Sequence, residues 1–153
     1  MLFQLITKLN IAAAAEIHAI SWRESHRAFC SEEFVEAHTT ERQIKYIENE
    51  IENGKQFYVL MDTEAKGIVS IKDNLIENLY VLPSEQRKGY GTKLLHFAEQ
   101  KCPSTPTLWI LSNNEAAKNL YVKHGYVFTG NTKPLKSDLQ ELEMQLMAQN
   151  VML

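Results

Sequence analysis

The stretch "SEQRKGYGTKLLHFAEQK", residues 84–101, decides how the rest of the chain is read. It sets Arg87, Lys88 and Lys93 around Gly89 and Gly91, then becomes an amphipathic run with Leu94, Leu95 and Ala98 on one side and Pro103 past its end. That pattern predicts a helix opening near Gly91, its first turn preceded by glycine and positive charge. A helix N-terminus carries about four unpaired N–H groups and roughly half a positive charge, so it suits an anion. Glycine lets the backbone come close to that anion because no Cβ intervenes. In chemical logic this is a pyrophosphate loop, although its spacing is neither G-x-x-x-x-G-K-[ST] nor G-x-G-x-x-G. The plainer reading is a polar turn with glycines as punctuation.

Upstream, "QFYVLM" (56–61), "KGIVSIK" (66–72) and "LIENLYVL" (75–82) are rich in β-branched and aromatic residues and are separated by short polar turns. They predict a three-strand antiparallel meander. Before them lie a strand at 2–7, a helix after Asn10 through "IAAAAEIHAISWRESHRAF", and a second helix from Ser31. A third helix follows, with Thr40 and Gln43 as a capping box, Ile44, Ile47 and Ile51 on one face, and Gly54 at its end. Downstream come an apolar strand "TLWIL" (107–111), a helix in "NNEAAKNLYVKHG" and two last strands, "YVFTG" and "LQELEMQLM". With no linker or repeat, the 153 residues read as one mixed α/β unit.

Composition narrows the function. The formal charge is −3, so no global field favours nucleic acid or an anionic membrane, and any anion must be held locally. Cys30 and Cys102 lack CxxC spacing and the five histidines lack ligand spacing, which predicts neither a disulfide scaffold nor a metal site. The apolar start "MLFQLITKLNIAAAAEIHAI" has no leading positive charge and is broken by Lys8 and Asn10, so it reads as mature structure. No run of about twenty apolar residues predicts a membrane span. The expectation is a soluble, cytoplasmic protein, with an exposed C-terminal strand that could pair with a second copy.

Gln86-Arg87-Lys88-Gly89-Tyr90-Gly91 matches the Q/R-x-x-G-x-G/A signature, and in this the chain resembles the GNAT family of acetyl-CoA-dependent N-acetyltransferases. The likeness continues in "ENLYVLP", in Asn114, Ala117, Tyr121, Gly125 and Tyr126 at the spacing of the family's N-x-x-A-x-x-x-Y helix, and in "SWRESHRAF". It implies one GNAT domain over 1–153, with a twisted, mainly antiparallel sheet of about six to seven strands. Helices would cover both faces, and the sheet would splay between its fourth and fifth strands. The resemblance also implies that the backbone of Leu79, Tyr80 and Val81 pairs with pantetheine and the thioester. Gln86, Arg87, Lys88, Gly89, Tyr90, Gly91 and Thr92 would hold the pyrophosphate, and Asn114 would contact pantetheine unless it is only a helix cap.

Acetyl transfer needs an uncharged nitrogen, a stabilised oxyanion and a proton for the thiolate. An alkylamine of pKa about 10.4 is uncharged in only about one molecule in a few thousand at pH 7, so its proton must go somewhere. Glu77 is the one carboxylate in its strand and a candidate base, or else a charged residue at a solvated position. Histone-acetylating members carry their glutamate two positions earlier, where this chain has Leu75. Tyr121 is the candidate acid, or else a core tyrosine, and the Val81 N–H is the oxyanion donor that the resemblance implies. Trp22, Arg23 and His26 are expected around the mouth for a small-molecule or peptide amine. Direct transfer within a ternary complex is expected, with acetyl-CoA as cosubstrate and no metal. The alternative is a non-catalytic acyl-CoA-binding regulatory module; a nucleotide-binding protein is disfavoured because the chain lacks a Lys-Ser/Thr loop.

Overall fold

In a computed structural model, residues 1–136 and 138–147 are described. Strand β1 (Leu2–Leu5) leads into helix α1 (Ile11–His26), followed by the short α2 (Glu32–Glu36) and by α3 (Thr40–Glu52). Three strands follow as a meander, β2 (Gln56–Asp62), β3 (Glu64–Lys72) and β4 (Leu75–Val81). After a 3-10 turn at Pro83–Glu85 come α4 (Tyr90–Lys101), β5 (Thr107–Leu111), α5 (Glu115–Lys123), β6 (Tyr126–Lys136) and β7 (Leu139–Leu146). The expected elements are all present. Two local readings change: the cap of α3 is Thr39, whose side chain accepts from the Arg42 N–H at 3.2 Å, one residue before the predicted Thr40. Strand β6 also runs well past "YVFTG", because it pairs with β7 on both sides of an irregularity between Phe128 and Thr132.

The seven strands form one sheet in the order β1-β2-β3-β4-β5-β7-β6, antiparallel except for β4 with β5. Alternation along the strands sends side chains to two cores. One gathers Leu60, Val69, Ile71, Ile76, Leu94, Leu95, Ala98, Leu108, Tyr121 and Met144, the other Ile11, Ala14, Ala15, Ile17, Ile47, Phe57, Val59 and Ile68. Helices α4 and α5 therefore cover one face, and α1 and α3 the other. Each fully buried leucine contributes about 1.5–3 kcal/mol of transfer free energy, so Leu94 and Leu95 together anchor α4 firmly. The anchoring is close: a Cβ on Gly67 of β3 would sit 2.7 Å from both Leu94 Cδ1 and the Tyr80 carbonyl oxygen. A larger residue there would push α4 away from β4. Among the described residues, no helix is long and apolar enough to cross a membrane.

Candidate active site

Two departures from a regular ladder make the site. The first is where β4 meets β5: their register contains only the pair Leu75↔Thr107. Asn74 staples this closed end, its carbonyl accepting from the Thr107 N–H at 2.8 Å and its Oδ1 from the Ser104 N–H at 3.1 Å. Beyond it β5 pairs with β7 instead, from Thr107↔Gln145 to Leu111↔Glu141. The edge of β4 that faces β5 is thereby left open along Leu79, Tyr80 and Val81.

The second departure is a bulge within β4. Register passes from Ser70↔Glu77 to Ile68↔Tyr80, so Asn78 and Leu79 lie opposite Val69 alone. Asn78 takes φ 51, the left-handed region that asparagine tolerates better than most residues. Its side chain is held on both sides. Oδ1 accepts from Ser70 Oγ at 2.7 Å, and Nδ2 donates to His18 Nε2 at 3.3 Å and to the Tyr46 hydroxyl at 3.4 Å.

Past Val81 the chain turns through Pro83–Glu85 into the glycine loop. Gln86 Nε2 donates to the Val81 carbonyl at 3.2 Å, and the Tyr90 hydroxyl donates to Asp62 at 2.7 Å. Lys66 and Lys88 bracket Glu85 at 3.4 and 3.0 Å. Gly89 sits at φ +88, where only glycine is unstrained, and as N-cap it brings no side chain to the amides of α4. Serine, threonine and asparagine do cap α2, α3 and α5. Gly91 differs from Gly89. A Cβ there would meet nothing nearer than Leu120 Cδ2 at 3.8 Å, so packing gives no reason for glycine.

These features line one cleft of about 1130 Å³. It brings together Trp22, His26, Glu77, Leu79, Tyr80, Val81, Gln86, Arg87, Gly89, Tyr90, Gly91, Thr92, Asn114 and Tyr121. Lys88 is not on its wall and turns to Glu85; Arg23 is drawn away as well, donating to the His38 carbonyl at 2.7 Å. Trp22 is stacked between His26 and His38, with ring centroids 3.8 and 3.5 Å away. Asn114 Oδ1 caps α5 through the Ala117 N–H at 3.0 Å, while Nδ2 has no partner among the described residues.

Charge and protonation differ along the wall. Glu77 is engaged by Lys55 Nζ at 2.6 Å, and Lys55, itself buried, is also held by Glu50 at 2.6 Å. Burial alone would lower the lysine pKa, but the hydrogen bonds that Lys55 donates to Glu50 and Glu77 outweigh it and raise it. Tyr121 is buried on the wall, and burial pushes its phenol up to about 12. Burial likewise pushes Tyr80 far above the ordinary phenol value. His26 Nδ1 faces the Trp22 carbonyl and Ser25 Oγ, both at 2.9 Å, and burial lowers its pKa despite the carbonyl bond. Sequence reading passed over His18, Ser21, Tyr46, Ser70 and Asn78. The one available signal was polar residues set into apolar periods, as with His18 among the alanines of α1.

The model of the acetyltransferase (GNAT) domain matches residues 14–147. Comparison with the sequences of curated proteins gives no match. Among solved structures, the PaiA N-acetyltransferase of Thermoplasma acidophilum, in complex with coenzyme A, is 19% identical with a TM-score of 0.68, covering 97% of this chain and 100% of that one. YncA of Salmonella typhimurium, with its cofactor acetyl-CoA, is 22% identical with a TM-score of 0.69, covering 100% and 96%. A ribosomal-protein-alanine N-acetyltransferase of Brucella melitensis is 19% identical with a TM-score of 0.69, covering 97% and 100%. With the domain matched over most of its length and the opened sheet and glycine loop in place, the chain belongs to the GNAT family of acetyltransferases.

Proposed function

We propose that the chain moves the acetyl group of acetyl-CoA to a primary amine of a small molecule or peptide by direct attack in a ternary complex. The observation that carries this reading is the glycine at 91. Nothing in the fold requires it, yet it stands at an uncapped helix end on the cleft wall beside Arg87. An anionic ligand that must reach the α4 amides accounts for that glycine. Pyrophosphate would lie against Gln86–Thr92, and pantetheine along the open β4 edge, with Asn114 Nδ2 within the same cleft.

The chemistry assigned to the residues follows from their environments. The Val81 N–H is the oxyanion donor. Tyr121, raised to about 12, stays protonated at physiological pH and can give a hydrogen. A thiol of ordinary pKa about 8.5 leaves a gap of ~3.5 units, so full transfer to a free thiolate would be uphill by ~5 kcal/mol. Donation therefore belongs to the moment of C–S cleavage, when charge is still developing on sulfur. Glu77, the carboxylate expected as base, lies in the cleft and shares Lys55 with Glu50.

The test is acetyl-CoA consumption with an amine panel, beside calorimetric titration of the parent and of Gly91→Val. Turnover that needs both amine and acetyl-CoA, with binding lost in the variant, supports the reading. Tight acetyl-CoA binding without any turnover would leave a binding module instead.

A further inference from the structure

Three irregularities of the backbone lie around the glycine loop. The register of β2 and β3 slips between Leu60 and Met61, which leaves Lys66 of β3 without a partner on β2. At the tip of the same hairpin Thr63 stands between the paired Asp62 and Glu64 at φ 70, a conformation that β-branched residues rarely adopt. In the loop itself Arg87 takes φ 65, and the sign of φ alternates from Arg87 through Lys88 to Gly89. Residues of alternating hand turn successive N–H groups to one side and form a concave seat for an anion. Arginine does not favour that conformation by itself, so its surroundings must hold it there.

The hairpin tip supplies the hold. Lys66 spans to Glu85 at 3.4 Å, and its carbonyl accepts from the Leu82 N–H at 3.0 Å. Asp62, the last residue of β2, accepts from the Tyr90 hydroxyl at 2.7 Å. Tyr90 is the first residue of α4, so this bond fixes the place where the helix opens. Charge alone argues against a carboxylate here, because it repels an anion seated on the loop. Glu85 is matched by Lys66 and Lys88, whereas Asp62 forms no ion pair among the described residues. The bond that Asp62 accepts explains its place; its charge does not.

We propose that Asp62 is a positioning residue for acetyl-CoA: it holds Tyr90, and through it the Arg87–Gly89 backbone, in the conformation that turns the loop amides toward the pyrophosphate. The inference rests on the reading of that loop as the pyrophosphate seat. Without the brace Arg87 relaxes out of the left-handed region, and only a fraction of the molecules presents the amides together. Apparent affinity falls by that fraction. Asp62 itself touches no part of the ligand in this account, and its carboxylate works against binding through space. Bond and charge therefore act in opposite directions, and a substitution that separates them tells which one matters.

The experiment is calorimetric titration of acetyl-CoA into the parent, Asp62→Ala, Asp62→Asn, Tyr90→Phe and the double variant Asp62→Ala/Tyr90→Phe, beside thermal melts of each. Asp62→Ala should weaken binding about three- to tenfold, the worth of one hydrogen bond, with a melting temperature that changes little. Asp62→Asn keeps an oxygen that accepts from Tyr90 and sheds the charge, so it should bind within about twofold of the parent. Tyr90→Phe should lose as much as Asp62→Ala, and the double variant no more than either alone. Unchanged or tighter binding in Asp62→Ala, the outcome of charge relief alone, overturns the proposal. So do losses that add in the double variant, or an Asp62→Asn that binds as weakly as Asp62→Ala. A parent that binds acetyl-CoA no better than its variants leaves the loop reading standing and sinks the brace. A parent that binds none takes both away.

Discussion

At the loop end of the cleft, Glu85, Gln86, Arg87, Gly89, Tyr90, Gly91 and Thr92, all from one stretch of chain, make the surface, braced by Lys66, Asp62 and the Val81 carbonyl. At the other end His18, Ser21, Tyr46, Ser70 and Asn78 come from α1, α3, β3 and β4, and two of their polar atoms find no partner. The loop end thus carries charge at its rim and an uncapped helix terminus, while His18, Ser21 and Ser70 at the far end are buried and uncharged. Backbone amides and cations that keep their hydration can meet an anion, whereas the five side chains of the far end offer uncharged hydrogen-bonding groups.

The comparison is most sharply tested at Tyr121, between the two ends. Phenylalanine keeps the ring in its packing and deletes the hydroxyl, so Tyr121→Phe should lower kcat about a hundred- to ten-thousand-fold. Acetyl-CoA affinity by calorimetry and the melting temperature should change little. A kcat that does not move, where chemistry limits the rate, would reduce Tyr121 to a core residue.

The next largest effect separates the two ends by pH. Folded His18 has its pKa down at about 4 against 6.5 in the unfolded chain. Between those values the unfolded state binds the extra proton, so stability is complete above about pH 6.5 and falls as pH falls toward 4. The loss across the window is on the order of 3 kcal/mol for this one buried group. Denaturant melts of the parent from about pH 7 to 4 should show the slope, and His18→Gln should flatten it. Equal slopes in both proteins would mean that the far end is wet rather than desolvated.

A smaller effect is expected at the loop. Gly91→Val should weaken acetyl-CoA binding by at least about tenfold, or ~1.4 kcal/mol, with a small change in melting temperature. Gly89→Val should lose both, because φ +88 strains any β-branched residue. Two variants with the same stability loss would erase the distinction drawn between the glycines.

Local sequence was enough where an element is set by neighbours along the chain. Gln86 through Gly91, the meander and the Asn114 helix were all legible because capping, period and loop chemistry act over a few residues. The β4 bulge was not, since it depends on Asn78 meeting Ser70 and His18, the latter sixty positions away. Nor could spacing foresee that Lys55 would claim Glu77, or that Arg23 would turn to the His38 carbonyl. The Thr39 cap was missed by one residue because adjacent threonines are equivalent until φ and ψ are known.

The smallest expected effect is at sulfur. If the amine attacks the thioester directly, no acyl group need rest on the protein. Cys30 and Cys102 are half-buried and neither is on the cleft wall. Burial, and then Glu99, push the Cys102 thiol up, so it holds less of the nucleophilic thiolate than a free cysteine does. Its Sγ also donates to the Ala98 carbonyl at 3.4 Å, a bond that a serine hydroxyl can keep. Replacing both cysteines by serine should therefore leave kcat within about twofold, and initial-rate lines should intersect as a ternary complex requires. Parallel lines, or an acetylated cysteine caught by mass spectrometry, would show that the acetyl group pauses on the enzyme. Direct attack in a ternary complex would then fail as the mechanism.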